Sequence, residues 1–297
     1  MIDLSRLTTE ARNPDTMQLD EMTPLEIAQT MNREDENVVS AVKDVLLEIA
    51  TAITWATESL SAGGRIIYIG AGTSGRLGVL DAVECPPTFG VSPEVVVGLI
   101  AGGSGAFVKA VEGAEDSMTL CEEELKKIHL QAKDIVIGLA ASGRTPYVIG
   151  GLRYAKAVGC KTVAIACNKG SEVGVEAQLA IEPTPGPEVL TGSTRLKAGT
   201  AQKMVLNMIS TGSMVGIGKA YQNLMVDVKQ SNEKLVIRAQ NITMTATDCT
   251  REEAKEALDK ADGHVKTAIV MILTNCDAST AKEKISRAGG KIHQAMK

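Results

Sequence analysis

The sequence alternates short, uninterrupted apolar runs with longer segments of helical periodicity. The runs are rich in β-branched residues and show no polar alternation, which is typical of strands buried on both faces of a parallel sheet. The strand candidates are residues 66–69, 95–100, 135–139, 162–166 and 179–181. This rhythm predicts an α/β fold with a doubly wound parallel sheet, and such sheets bind ligands at the carboxyl ends of their strands. A functional site is therefore expected in the loops that follow the strands.

Helical patterns outside the sheet predict the domain organisation. A capping box with proline at the first helical position begins at Thr23, and a second capping box begins at Thr250. An apolar-periodic segment at about residues 196–226 predicts one further long helix. We therefore predict three regions: an N-terminal arm that lies on the main body or on another subunit, an α/β domain, and a small three-helix module, at residues 1–22, 23–246 and 247–297.

Charge and hydropathy argue against several classes of function. Lys and Arg total 31 against 36 for Asp and Glu, and no basic stripe is interleaved with aromatic residues, so nucleic acid is not an expected partner. The apolar runs are far shorter than the roughly 20 residues of a membrane span. The N-terminus also lacks the basic start and apolar stretch of a signal peptide. We expect a soluble, cytoplasmic protein that does not enter a membrane.

The cysteines and histidines lack the spacing of a metal site. The chain has six cysteines without a CxxC pair, and its three histidines are well separated from one another. We therefore expect reduced thiols in the core, no bound metal and no cofactor.

The first candidate site is the glycine-rich string GAGTSGR, which begins at Gly70 directly after the first strand. Gly72, Thr73 and Ser74 open the next helix, where free backbone N–H groups and hydroxyls can bind an anion such as phosphate. The string also matches GxGxxG, which leaves a dinucleotide site as an alternative. The second strand ends in AGG, without the acidic residue that binds a ribose, and this disfavours the alternative.

A second hydroxyl-bearing loop follows the third strand. It contains Ser142, Gly143, Arg144 and Thr145 and leads into a helical segment. Its hydroxyls would also be explained by helix capping, the commonest use of Ser and Thr at such positions. Two such loops, on strands that could be neighbours, favour one phosphorylated ligand bound between them.

Carboxylates form the third candidate group. Glu84 lies in the string DAVECPP, whose prolines are predicted to end the helix that follows the first loop. Glu112, Glu115 and Asp116 are predicted at the start of another helix, where acidic residues are also favoured for purely electrostatic reasons. The pattern alone does not distinguish Glu112 from Glu115.

These motifs resemble known families. The strings GTS (Gly72 to Ser74) and SGRT (Ser142 to Thr145) resemble the two phosphate-binding loops of the sugar isomerase domain superfamily. The longer strings GAGTSGRLGVLDAVECPPTFG, VEGAEDS and TGSTRLKAGTAQK resemble the N-acetylmuramic acid 6-phosphate etherase family. The similarity extends from the string LTTEARNPDT in the arm to the C-terminal module, which resembles a ubiquitin-associated unit.

The resemblance implies a fold, an activity and residue roles. It implies a sugar isomerase-type sheet and a lyase that cleaves a lactyl ether by β-elimination and hydration in cell-wall sugar recycling, without a cofactor. Glu84 corresponds to the family's catalytic acid and Glu115 to its second catalytic carboxylate. A phosphorylated amino sugar as substrate, phosphate binding by the two loops, and a homodimer are also implied.

Two other functions remain as alternatives. Isomerases of the superfamily carry a glutamate shortly after a Leu-Lys pair, whereas Leu196 and Lys197 are followed here by Ala198 and Gly199. This departure argues against a sugar-phosphate isomerase. A non-catalytic sugar-phosphate sensor or regulator would resemble glucokinase regulatory proteins, but those chains are longer and pair two such domains.

Overall fold

The computed structural model describes residues 7–109, 111–228 and 233–297. Contacts divide the chain into two compact units. The first contains the described residues up to Val83 together with Glu94–Ser210, and the second contains Glu84–Pro93 together with Thr211–Lys297. The domain boundaries after residues 22 and 246 stay predictions.

A five-stranded parallel sheet forms the centre of the first unit. Its strands are β1 Ile66–Gly70, β2 Val96–Ile100, β3 Ile135–Leu139, β4 Lys161–Ile165 and β5 Leu179–Ile181. Their order is β2-β1-β3-β4-β5, so the chain reverses direction across the sheet between β1 and β3. All five residues of β1 and of β3 are buried, which explains why these strands are apolar without alternation. The predicted doubly wound α/β fold is confirmed.

Among the described residues, seven α-helices lie wholly or partly in the first unit. They are α1 Pro24–Lys43, α2 Leu46–Ser61, α3 Gly72–Phe89, α4 Leu120–Lys127, α5 Pro146–Val158, α6 Glu172–Glu176 and α7 Lys197–Gly216. The capping box of α1 is confirmed, because the Glu26 carboxylate accepts a hydrogen bond of 2.7 Å from the backbone N–H of Thr23. The long helical pattern before β1 is divided at Asp44 into two helices.

The prediction that two prolines end the helix after the first loop is wrong. Helix α3 continues through Pro86 and Pro87 to Phe89. The prolines remove two backbone donors close to the end of the helix, which leaves most of its hydrogen bonds intact. The helix ends where Gly90 adopts a φ of +65° and donates a 3.0 Å hydrogen bond to the carbonyl of Pro86.

The helix predicted at about residues 196–226 is shorter than expected. Helix α7 ends at Gly216, and Gly218 follows with a φ of +81°. A side chain at Gly218 would also lie only 2.5 Å from the carbonyl oxygen of Gly290. The remaining apolar residues form a two-stranded hairpin of β6 Ala220–Tyr221 and β7 Leu224–Met225.

The second unit is mainly helical. Its helices are α8 Glu233–Thr247, α9 Arg251–Lys260, α10 Val265–Thr274, α11 Ala278–Arg287 and the short α12 Ile292–Ala295. Ile242, Leu258, Ile269 and Ile292 are among the buried residues of one shared core. The capping box at Thr250 is confirmed. Within the described ranges, no helix has the length and hydropathy needed to cross a bilayer.

The described part of the N-terminal arm lies on the first unit of its own chain. It forms three short 3-10 helices, Thr8–Glu10, Pro14–Thr16 and Leu19–Glu21. Asn13 donates a 2.8 Å hydrogen bond to Glu34, and Thr16 donates a 2.9 Å hydrogen bond to the carbonyl of Val189. Residues 1–6 of the predicted arm lie outside the described residues.

Candidate functional site

The two predicted loops leave neighbouring strands at the same edge of the sheet. Strands β1 and β3 are paired in parallel, and their last residues, Gly70 and Leu139, are register partners. The first loop leads from β1 into α3, and the second leads from β3 into α5. This edge lies where the strand order reverses, the usual ligand-binding position of a doubly wound sheet.

The first loop is held by its own turn and by α7. A side chain at Gly75 would lie 2.6 Å from the carbonyl oxygen of Gly70, so the turn requires glycine at this position. Ser74 is buried, and its hydroxyl donates a 2.8 Å hydrogen bond to the side-chain oxygen of buried Gln202. Gln202 lies in the string TGSTRLKAGTAQK, but sequence reasoning assigned no role to it. Thr73 is half-buried, and Gly72 is exposed.

The second loop also depends on a glycine. Gly143 has a φ of +82°, and a side chain there would lie 2.4 Å from the Cβ of Ser171. Its carbonyl accepts a 3.0 Å hydrogen bond from the backbone N–H of Val173. Arg144 forms an ion pair of 2.9 Å with Glu172. Helix α6 therefore supports this loop from one side.

Asn168 contacts the second loop and was not predicted. Its side-chain N–H donates a 3.2 Å hydrogen bond to the carbonyl of Ser142. The residue is buried and follows β4 by three positions. A search of the loop after β4, in addition to those after β1 and β3, would have identified it as a polar residue at the same sheet edge.

Glu115 is brought to the second loop. The hydroxyl of Thr145 donates a 3.1 Å hydrogen bond to its carboxylate, and the backbone N–H of Tyr147 donates a 3.0 Å hydrogen bond to its carbonyl. The prediction that Glu112, Glu115 and Asp116 begin a helix is wrong. They lie in consecutive turns, and α4 begins only at Leu120. The acidic residues are therefore not explained by a helix N-terminus.

Glu84 is an exposed residue of α3, the helix that begins at the first loop. It belongs to the segment Glu84–Pro93 of the second unit, whereas Glu115 belongs to the first. The role of Glu84 stays a prediction from the resemblance.

Two further carboxylates, one buried and one half-buried, lie on the helices α3 and α4. Asp81 on α3 accepts hydrogen bonds from the hydroxyl of Tyr68 at 2.9 Å and from the side chain of Asn207 at 2.8 Å. Glu124 on α4 accepts a hydrogen bond from the hydroxyl of Tyr147 on α5. Burial raises the pKa of each carboxyl above its ordinary value, with the hydrogen bonds opposing this effect.

The cysteines of the first unit are poor candidates for nucleophiles or metal ligands. Burial raises the pKa of the Cys160 thiol to about 11 and that of Cys167 to about 12, so both are protonated near neutral pH. In the part of the chain that the structure describes, no three His, Cys, Asp or Glu side chains are arranged to hold a metal ion.

Comparisons with known proteins found two matching family models and relatives of similar sequence. A family model described as "Glucokinase regulatory protein N-terminal SIS domain" matches residues 48–156, and one described as "SIS domain" matches residues 122–211. The N-acetylmuramic acid 6-phosphate etherase of Cronobacter sakazakii is 61% identical over 271 residues, which cover 91% of each chain. That of a Geobacillus species is 62% identical over 269 residues, again 91% of each chain.

A solved structure provides a comparison for the fold. The phosphoheptose isomerase from Francisella tularensis matches with a TM-score of 0.50, covering 65% of this chain and 98% of the other. The two sequences are only 14% identical, so this likeness concerns the fold alone. The similarity in sequence to the etherases is far higher and extends over nearly the whole chain.

Proposed function

The chain belongs to the N-acetylmuramic acid 6-phosphate etherase family, and we propose that it converts N-acetylmuramic acid 6-phosphate to N-acetylglucosamine 6-phosphate and D-lactate. The observation that carries this proposal is the 61% identity to a named etherase over 91% of the chain. The activity is that of a carbon–oxygen lyase in cell-wall sugar recycling. The bond between Thr145 and Glu115 supports it, since it joins a proposed phosphate loop to a proposed catalytic carboxylate.

The two loops are the proposed binding site for the sugar phosphate. Backbone N–H groups at the start of α3 and the hydroxyls of both loops are suitable donors to phosphate oxygens. The proposed binding residues are Gly72, Thr73, Ser74, Ser142, Gly143, Arg144 and Thr145. Binding energy from this unreactive end of the substrate orients the reacting end.

The proposed reaction is an elimination followed by hydration. In the open-chain sugar, the aldehyde acidifies the proton on the carbon that bears the acetamido group. A carboxylate removes this proton, the electron pair forms a double bond, and the adjacent carbon–oxygen bond to lactate breaks while a carboxylic acid protonates the leaving oxygen. Water then adds to the double bond, and the proton returns to the first carbon. Following the family resemblance, Glu84 is the proposed acid and Glu115 the second carboxylate.

A lactate-release assay tests this function directly. Purified protein mixed with N-acetylmuramic acid 6-phosphate should release D-lactate and N-acetylglucosamine 6-phosphate. In water enriched in heavy oxygen, the label should enter the new hydroxyl of the sugar and be missing from lactate. Label found in lactate alone would exclude the elimination, and no lactate release would exclude the function.

The alternative functions differ in what they release. A sugar-phosphate isomerase or a non-catalytic sensor would bind a phosphorylated sugar without releasing lactate. In the string that departs from the isomerase pattern, the ammonium of Lys197 is buried and pairs with the carboxylate of Glu34 at 2.6 Å. This ion pair gives Lys197 a structural role in the first unit.

We also propose that the protein is a homodimer. Val83, Phe107 and Val108 of the first unit are 58%, 40% and 88% exposed and border an apolar groove of about 530 Å³. Exposed apolar patches of this kind often mark subunit interfaces. The arm does not support a dimer, because its described part bonds to its own chain. Light scattering at micromolar concentration should give twice the monomer mass, and a monomer would contradict the proposal.

A cytoplasmic location is proposed from the substrate class. Phosphorylated sugars are charged and do not leave the compartment in which they are made, so an enzyme that consumes them is expected there. Fractionation of cells producing the full chain should recover it with soluble cytoplasmic markers.

A further inference from the structure

Asn168 connects the N-terminal arm to the second loop through all four of its hydrogen-bonding positions. Its side-chain oxygen accepts from the backbone N–H of Thr8 at 2.8 Å and from the Thr8 hydroxyl at 2.7 Å. Its side-chain nitrogen donates to the hydroxyl of Thr9 at 3.0 Å and to the carbonyl of Ser142 at 3.2 Å. A carboxamide has two acceptor sites and two donor hydrogens, so this geometry satisfies it completely.

The bond to Ser142 completes a series of fixed carbonyl groups in the second loop. The carbonyls of Ala140, Ala141 and Gly143 accept backbone hydrogen bonds of 2.9, 2.9 and 3.0 Å. The carbonyl of Ser142 lies between them and accepts from the side chain of Asn168. The conformation of the loop at Ser142 therefore depends on a side chain, which a substitution can remove.

We propose that Asn168, held by Thr8 and Thr9, is a positioning residue that keeps the second loop in the shape that binds the phosphate of the substrate. The arm is then part of the binding site, although it need not touch the ligand. The proposal deepens the proposed function and rests on it, since it assumes that the loop binds a sugar phosphate.

The chemistry of the site makes asparagine specific. Asn168 is only 4% exposed, so a polar atom left without its partner there would be costly. Aspartate has the same shape but no N–H to donate to the carbonyl of Ser142, and it would place a negative charge beside that carbonyl. We therefore expect Asn168→Asp to be at least as harmful as Asn168→Ala.

Binding measurements on the full chain test the proposal. The probes are inorganic phosphate and N-acetylglucosamine 6-phosphate, titrated by calorimetry, and KM and kcat are measured in parallel. Asn168→Ala removes the hydrogen bond to the carbonyl of Ser142. It should weaken binding of both probes and raise KM about tenfold, since a net hydrogen bond corresponds to about that factor. The value of kcat should change much less, because Asn168 does not contact the reacting atoms.

A double-mutant cycle tests whether Thr9 acts through Asn168. Thr9→Val should weaken phosphate binding a few-fold, and Thr9→Ser should restore it because the hydroxyl is retained. In an Asn168→Ala background, Thr9→Val should have no further effect. Additive effects would show that Thr9 acts independently and would overturn the coupling. Thr9→Val also keeps the test decisive if Asn168→Ala does not fold.

Asn207→Ala is the matched control. Asn207 is also a hydrogen-bonded asparagine of the first unit, but its partner is Asp81 on α3. The substitution Asn207→Ala should lower the melting temperature of the protein without changing its affinity for phosphate. Unchanged affinity in folded Asn168→Ala would overturn the proposal and leave Asn168 a structural residue. If wild type binds the probes but releases no lactate, the proposed function fails while the positioning role can still be judged from binding.

Discussion

The two candidate phosphate loops are supported in different ways. The first loop is a tight turn that becomes a long helix, and Gln202 on α7 bonds to its Ser74. The second loop is bonded to three separate parts of the first unit: the arm through Asn168, α6 through Arg144, and the segment after β2 through Thr145. The first loop thus takes its shape largely from its own turn and one side-chain bond, whereas the second loop is supported by three separate segments of the chain.

Substitutions in the two loops should therefore have effects that extend over different distances. Changes in the first loop should remain local, because a helix start is defined by the backbone of its own first turn. Changes in the second loop should spread to Glu115, since Thr145 belongs to the loop and bonds to that carboxylate. Each loop is also connected to one proposed catalytic group, the first through α3, which carries Glu84, and the second through Thr145.

The largest expected effects come from these two glutamates. Glu84→Gln and Glu115→Gln should each fold and bind substrate, yet lose roughly 10²- to 10⁴-fold in kcat, the usual contribution of a general acid or base. Glu112→Gln is the matched control, since Glu112 is an exposed glutamate of the same segment as Glu115. Lactate-release kinetics measure all three. An inactive Glu112→Gln beside an active Glu115→Gln would show that the assignment is wrong.

Substitution of one glycine in each loop should destabilise the protein to different extents. Gly143→Ala should destabilise the protein by about 2 to 5 kcal/mol, because a left-handed backbone and an overlap with Ser171 both add strain. Gly72 also has a positive φ, of +52°, but a side chain there would meet no atom within 4 Å. Gly72→Ala should therefore cost only about 1 to 2 kcal/mol. Urea unfolding measures both, and equal losses would contradict the predicted difference.

The fold could be predicted because its signals are local. Strands buried on both faces, capping boxes at Thr23 and Thr250, and glycines after strands can all be recognised within a few residues. The supports of the loops could not be predicted in this way. Thr8 and Asn168 are 160 positions apart, and Ser74 and Gln202 are 128 apart. Only the folded sheet edge brings these pairs together.

The end of α3 was mispredicted for a different reason. A proline inside a helix is usually a strong signal for its end. Here the prolines lie within the last turn, where the helix has few bonds left to lose and where Gly90 provides the actual end. The proline rule gave the wrong helix end because it does not take into account how many backbone hydrogen bonds the prolines remove.

Serine substitutions give the next smaller effects. Ser142→Ala should weaken binding of sugar phosphates by about 1.5 to 3 kcal/mol, the value of a hydrogen bond to a charged group. Ser74→Ala should weaken it less, because the Ser74 hydroxyl already donates to Gln202. It should instead lower the melting temperature, since the buried oxygen of Gln202 loses its donor. Ser61→Ala, an exposed serine of α2, is the control for both.

Calorimetry and thermal unfolding separate these two serines. Unchanged affinity in Ser142→Ala would show that this hydroxyl does not bind the phosphate. If Ser74→Ala loses more affinity than Ser142→Ala, the Ser74 hydroxyl must leave Gln202 and donate to the phosphate when the ligand binds.

The smallest expected effect concerns Glu124, which supports the helix after the second loop by accepting a hydrogen bond from Tyr147. Burial raises the pKa of its carboxyl above 4.5 in the folded protein. The folded state therefore holds this proton more tightly than the unfolded state, and the contribution of Glu124 to stability falls as pH rises from about 4.5 through the raised value.

Glu124→Gln keeps an acceptor for Tyr147 and removes this titration. Its stability relative to wild type should thus increase between pH 4 and pH 8, by at most about 1 kcal/mol, the scale of a net hydrogen bond. Urea midpoints measured across this range, with exposed Glu123→Gln as the control, test the sign. A difference that shrinks as pH rises would show that Tyr147 stabilises the ionised carboxylate by more than burial destabilises it.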